Sequence, residues 1–136
     1  MKTFIIAEVG INHNGDIKIA KEMIKESKLC GASAVKFQKR DIDLVYDKET
    51  LSSKRESPWG STFRHQKEGI EFGLEEYKQI DEYSKSLNIE WFASAWDLNS
   101  LDFLKQFKLK YNKIASAMII DRKFLEVVAK QGKHTF

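Results

Sequence analysis

The sequence predicts an α/β fold built on a parallel sheet, and three observations predict it. Short apolar runs alternate with segments whose apolar residues recur at helical spacing, an order that implies parallel strands joined by helices. Charged residues inside the predicted strands, Glu8, Lys36 and Lys113, fall near the strands' C-terminal ends. The chain stops at Phe136, where a fifth strand begins. Four βα units and the start of a fifth make an open sheet, or about half of an eight-stranded barrel of ~250 residues. The sequence therefore reads as one partial domain, residues 1–136, that looks cut.

Phe4 to Val9 is an apolar run with one charge, as expected for a strand buried on both faces. Gly10 to Gly15 is a loop, and Asp16 is placed to cap a helix. Ala20, Met23, Ile24, Ser27 and Cys30 recur at helical spacing until Gly31 stops the helix. Cys30 reads as a small core residue. Ala34 to Phe37 is the second strand. A helix begins at Leu74, with Tyr77, Ile80, Ser84 and Leu87 on one face, and Ile89 to Ala93 is the next strand. Leu101, Leu104 and Phe107 mark a further helix, and Tyr111 to Ala115 a fourth strand. Asp121 caps a helix carrying Phe124, Leu125, Val128 and Ala129, ended by Gly132. His134 to Phe136 starts the fifth strand.

Residues 39–73 are the exception. They form a β-to-α connection far longer than usual, so they are either a lid or contain a short helix. Ser57-Pro58-Trp59-Gly60 is a turn within it. We expect this segment to be a mobile cover, with Trp59 and Phe63 as anchors and Lys54-Arg55 as its first point of proteolysis.

Composition narrows the function. With 42% hydrophobic and 32% charged residues, the chain can bury a real core and remain soluble. A net charge of +3 is too small to argue a nucleic acid or an acidic membrane as partner. No apolar run approaches the ~20 residues that span a bilayer, and the N-terminus lacks the features of a signal peptide. The lone cysteine excludes an internal disulfide and a cysteine-based metal cluster, and a cytoplasmic setting is expected.

An unpaired buried charge costs several kcal/mol, so Glu8, Lys36 and Lys113 each need a partner. Strand C-terminal ends of a parallel α/β sheet share the edge where ligands bind. Lys36 and Gln38, two residues apart, project to one face. Ser94 and Ser116 end the third and fourth strands. Two ammonium groups, hydroxyls and a carboxylate suit a small polyanion, although a structural Glu8–Lys36 ion pair accounts for two of these charges equally well. Asn12-His13-Asn14-Gly15 is an active-site loop, or a turn in which Asn14-Gly15 takes positive φ and His13 is merely solvated. His65 reads as solvated, and Trp59, Trp91 and Trp96 as packing residues. The three histidines lack the spacing of a helical metal pair, and no glycine-rich phosphate motif occurs.

Four segments carry a resemblance: Ile6-Ala7-Glu8-Val9-Gly10-Ile11-Asn12-His13-Asn14-Gly15, Val35-Lys36-Phe37-Gln38, Phe92-Ala93-Ser94-Ala95 and Asn112-Lys113-Ile114-Ala115-Ser116. In this order they resemble the sialic acid synthase (N-acetylneuraminate synthase) family, over the N-terminal half of its catalytic barrel. The resemblance implies a (β/α)8 TIM barrel and a transferase of carbohydrate biosynthesis. That enzyme condenses phosphoenolpyruvate with an N-acylated mannosamine-type sugar, giving a nine-carbon 2-keto acid and phosphate. It places Lys36, Lys113 and Ser116 on phosphoenolpyruvate, with Ser94 lining its pocket. It places Glu8, as a proton-transfer group, and Gln38 nearer the sugar, and gives Asn12 and His13 to the substrate loop. It implies a divalent metal (Mn or Mg) whose ligands lie outside this chain, and a homo-oligomer whose partners are small molecules rather than nucleic acid or membrane. Met118 stands where many members carry a glutamate that handles the sugar. Two other readings fit the same residues. One is a non-catalytic remnant or assembly module retaining a phosphate-binding edge. The other is a Schiff-base aldolase using Lys36 or Lys113.

Overall fold

The computed structural model describes residues 3–136. Strand β1 (Ile6–Gly10) leads through a short loop to helix α1 (Ile17–Leu29), and β2 (Ala34–Lys39) follows. The connection after β2 is folded throughout. It comprises α2 (Ile42–Val45), α3 (Lys48–Ser52), a hairpin of β3 (Lys54–Ser57) and β4 (Gly60–Thr62), and α4 (Phe63–Ile70). The βα alternation then resumes with α5 (Leu74–Ser86), β5 (Glu90–Ala95), α6 (Leu98–Leu104), β6 (Tyr111–Ile114), a 3-10 turn (Ser116–Met118), α7 (Arg122–Ala129) and β7 (His134–Thr135).

The five long-range strands form one sheet in the order β1-β2-β5-β6-β7, with every neighbouring pair parallel. Sequence order and spatial order coincide because each helix returns the chain to the next position in the sheet. This is the expected architecture, part of a (β/α)8 barrel. The caps follow the local chemistry. Asp16 accepts a hydrogen bond from the Lys18 amide at 2.7 Å, and Asp121 one from the Phe124 amide at 2.9 Å. Gly31 and Gly132 take φ of +86° and +64° where their helices end, a conformation that costs glycine little.

Alternation along each strand divides the sheet into two faces. Val35, Phe37, Trp91, Ala93 and Ala95 meet the helices. Tyr77 of α5 fills the centre of that layer, its ring 5.6 Å from Trp91 and 6.5 Å from Phe37. Such fully buried large side chains stabilise by about 1.5–3 kcal/mol each. The other face carries Phe92, whose ring lies 5.7 Å from those of Tyr111 and Phe136, with Phe4 5.1 Å from Tyr111. This aromatic cluster occupies the N-terminal half of the face. Phe4 and Phe136 remain 41% and 38% exposed.

One expectation needs correction. Cys30 is not a core residue: it is the C-cap of α1 and is exposed, because the helix turns its last residues outward. Residues 39–73 do contain short helices, as one of the two readings had it: three of them and a hairpin, with Leu51 and Ile70 buried. The turn at Ser57 to Gly60 forms as expected, at the tip of that hairpin, and Lys54 and Arg55 on β3 are exposed.

Candidate functional site at the strand C-terminal ends

The polar residues of the strands share the face that bears the aromatic cluster, nearer its C-terminal end. In the β2–β5 register Lys36 faces Phe92 and Gln38 faces Ser94. In the β5–β6 register Ser94 faces Lys113. Residues opposite each other in a parallel pair project to the same side, so Gln38, Ser94 and Lys113 form one row with Lys36 one pleat below. Ala7 opposite Val35 sets Glu8 beside Lys36, and the Glu8 carboxylate lies 3.2 Å from the Lys36 ammonium. The register then shifts between Ala7 and Gly10, beside the site, and pairing resumes with Gly10 opposite Phe37.

The burial of these groups differs from expectation. Lys36 is buried, as its apolar strand requires, and so is Ser94. Glu8 is not: its side chain is 63% exposed, because β1 is an edge strand and its inner face is open. Lys113 is half-buried, and no carboxylate lies within ion-pair distance of it among the described residues. Ser116 sits beyond β6, exposed on the 3-10 turn.

The β1–α1 loop splits into two roles. Asn14 and Gly15 take φ of +49° and +70°, as the turn reading requires. A Cβ on Gly15 would meet the Gly69 carbonyl oxygen at 2.0 Å, so the loop packs directly on α4. Asn12 is exposed and donates through Nδ2 to the Val9 carbonyl. His13 is not solvated. It is buried, its ring stacked 3.9 Å from that of Phe72 and 6.1 Å from Phe37, and its Nδ1 accepts from the Gly15 amide. Its contacts are with the helix-side layer, away from the Lys36–Lys113 row. Burial, aided by the Arg40 charge, lowers its pKa from 6.5 to about 4, so the imidazole is neutral.

Sequence reasoning missed the groups just beyond β2. Arg40 is buried and donates through Nε to Glu71 Oε2 at 3.2 Å, through its amide to Glu71 Oε1, and through Nη1 to the Tyr46 hydroxyl. Its guanidinium lies 5.7 Å from the Trp96 ring centroid. Lys39 joins the same carboxylate at 3.4 Å and donates to the Phe72 carbonyl. Asp97, also buried, caps α6 and accepts from the Asp41 amide at 2.8 Å. These bonds fasten the 39–73 segment to the sheet edge beside the site. Arg40 at a strand end was the available sequence signal, but its partners lie 6 to 56 residues away.

Among the described residues no group of three or more His, Cys, Asp or Glu side chains could hold a metal ion. These residues do not form a metal centre by themselves.

The strand-end row and the parallel α/β sheet define a partial barrel whose open edge is equipped for a small anionic ligand. The chain belongs to the NeuB family, whose model matches residues 23–136. N-acetylneuraminate-9-phosphate synthase of Mus musculus is 36% identical over 132 residues, covering 96% of this chain and 37% of that protein. N,N'-diacetyllegionaminic acid synthase of Legionella pneumophila is 36% identical over 134 residues, covering 96% and 38%. The crystal structure of the N-acetylneuraminic acid synthetase of Leptospira borgpetersenii, in complex with citrate, superposes with a TM-score of 0.83 at 31% identity. It covers 99% of this chain and 44% of that one. The chain thus spans less than half the length of these relatives.

Proposed function

We propose that this chain supplies the phosphoenolpyruvate-binding edge of a sialic-acid-synthase-type enzyme, which joins phosphoenolpyruvate to an N-acylated mannosamine-type sugar. One observation carries the reading. Gln38, Ser94 and Lys113 stand in register across three strands, with buried Lys36 behind them on the same face. Fixed ammonium groups on rigid strands neutralise the carboxylate and phosphate of phosphoenolpyruvate without reorganising. The Ser94 hydroxyl supplies a directional hydrogen bond, the Gln38 amide serves the sugar side of the row, and Ser116 extends the row beyond β6.

In this reaction the enol carbon bonds to the open-chain aldehyde carbon, whose oxygen takes up a proton. Water adds to the resulting oxocarbenium carbon, and phosphate leaves with its bridging oxygen as the 2-keto group forms. Glu8, exposed on the same face and 3.2 Å from Lys36, is the group to which we assign the proton transfer.

The test is product analysis. In a protein that completes the barrel around this chain, incubation with phosphoenolpyruvate, N-acetylmannosamine and Mn should release phosphate and a 2-keto acid in equal amounts, with no borohydride-trapped adduct on Lys36 or Lys113. A trapped adduct would establish the aldolase reading instead. Phosphoenolpyruvate binding without turnover would establish the non-catalytic one.

A further inference from the structure

The chain's net charge of +3 is unevenly placed. The connections at the C-terminal ends of the strands carry no cationic excess. Residues 11–16, 96–97 and 115–121 contain three aspartates and no Lys or Arg, and residues 39–73 hold seven cations and seven carboxylates. At the opposite end of the sheet, helices lead into strands through residues 28–33, 85–89, 105–110 and 130–133. These four stretches contain seven lysines and no Asp or Glu. They lead into β2, β5, β6 and β7, which are consecutive in the sheet, so the lysines form one arc. Three spacings between neighbouring strands make it roughly 14 Å long.

Four of these ammonium groups have no counter-charge. Lys85, Lys105 and Lys110 pair with Asp81, Asp102 and Glu90. Lys28 donates to the Asn88 carbonyl at 2.6 Å. Lys28, Lys108, Lys130 and Lys133 have no carboxylate within ion-pair distance among the described residues. Lys133 is half-buried, and that burial pushes its pKa below the ordinary lysine value. A cavity of about 250 Å³ opens within the arc, lined by exposed Lys85, Lys108 and Lys110 over buried Ile89, Trp91 and Leu109. Its own carboxylates are engaged, Asp81 by Trp91 Nε1 and Lys85, and Glu90 by Lys110.

We propose that this end of the sheet docks an acidic segment of a partner protein in extended conformation, with one Asp or Glu side chain of that segment entering the cavity. An apolar floor beneath a cationic rim matches a side chain that carries a carboxylate on a short methylene stem. An extended segment rises about 3.3 Å per residue, so about four residues follow the arc. Nucleic acid fits less well. The four stretches contain no arginine, the side chain that binds phosphate bidentately, and their one aromatic residue, Phe107, is buried rather than open to a base. The face lies at the far end of the sheet from Gln38, Ser94 and Ser116, so the inference stands apart from the proposed function.

The experiment follows the fluorescence anisotropy of a labelled hexaglutamate peptide as the chain is added at low salt, with a thermal melt of each variant to show that it is folded. The peptide should bind, and its affinity should fall as salt screens the lysines. Lys108→Glu combined with Lys133→Glu should weaken binding by at least about tenfold. Lys108→Glu, at an exposed position, should weaken it on its own. Lys48→Glu makes the same change of charge on α3, at the other end of the molecule, and should leave the affinity as in the wild type. Absence of peptide binding would overturn the proposal. An equal loss in Lys48→Glu and Lys108→Glu would overturn it by assigning the binding to net charge. Oligothymidylate of equal charge bound as tightly as the peptide would overturn it by assigning the face to nucleic acid.

Discussion

The Lys36 ammonium lies 3.2 Å from the Glu8 carboxylate, yet the lysine side chain is 4% exposed and the glutamate side chain 63%. The pair is asymmetric, so its two halves respond differently to removal. Glu8→Gln leaves a buried ammonium without its counter-charge, and solvent screening on the glutamate side limits the loss to about 1 kcal/mol. Lys36→Met leaves a carboxylate that water can hydrate and fills a buried site with an apolar chain, so stability should hold or rise. Denaturant melts of both variants check the order. Lys36→Met as the more damaging change would show that the ammonium is bonded more extensively than this pair.

His13 makes stability depend on pH. Its folded pKa of about 4 lies below the 6.5 of the unfolded chain, so between those values the unfolded state binds more protons. The stabilisation is fully present above about pH 6.5 and is lost as pH falls toward 4, by roughly 3 kcal/mol. Thermal melts across that window should show the decline. His13→Phe, which keeps the stack on Phe72, should flatten it; an unchanged slope in that variant would assign the effect to other groups.

Glu71 and Arg40 form an ion pair in which the guanidinium is buried and the carboxylate nearly so, at 4% and 9% side-chain exposure. Glu71→Ala strands the guanidinium and should cost about 3–5 kcal/mol. The same change frees Lys39, so hydrogen exchange should accelerate in α4 and around Tyr46 before the sheet itself opens.

β1 and β7 are the edges of the five-stranded sheet, and Phe4, Ile5 and Phe136 are exposed beside them. Unpaired edges flanked by apolar side chains favour association. Sedimentation of the isolated chain should show dimers or larger species, and a monomer that persists at high concentration would contradict this.

Much of the fold was legible in the sequence because its strands are apolar runs and its helices have marked ends. Asp16, Gly31, Asp121 and Gly132 each act at the expected place. Lys36 and Gln38 could be placed on one face from their spacing alone. Their alignment with Ser94 and Lys113 depends on register between strands, which no local pattern reports. Burial was harder to read. Glu8 has the sequence surroundings of a core residue and is exposed because of its position at the sheet edge. His13 sits in a turn motif that suggests solvent, and Phe72, 59 residues away, covers it. The 39–73 segment lacks a long periodic pattern because its helices are only one or two turns long. The anchors Arg40 and Glu71 are joined only by folding.

The central claim is that Lys36 and Lys113 together hold phosphoenolpyruvate. Calorimetric titration of phosphoenolpyruvate into the wild-type chain, Lys36→Met and Lys113→Met tests it most directly, with a melt of each variant to show that it is folded. A charge-assisted hydrogen bond is worth roughly 1.5–3 kcal/mol, so each substitution should weaken binding by about tenfold or more. Wild-type affinity in a folded Lys36→Met or Lys113→Met protein would contradict the claim.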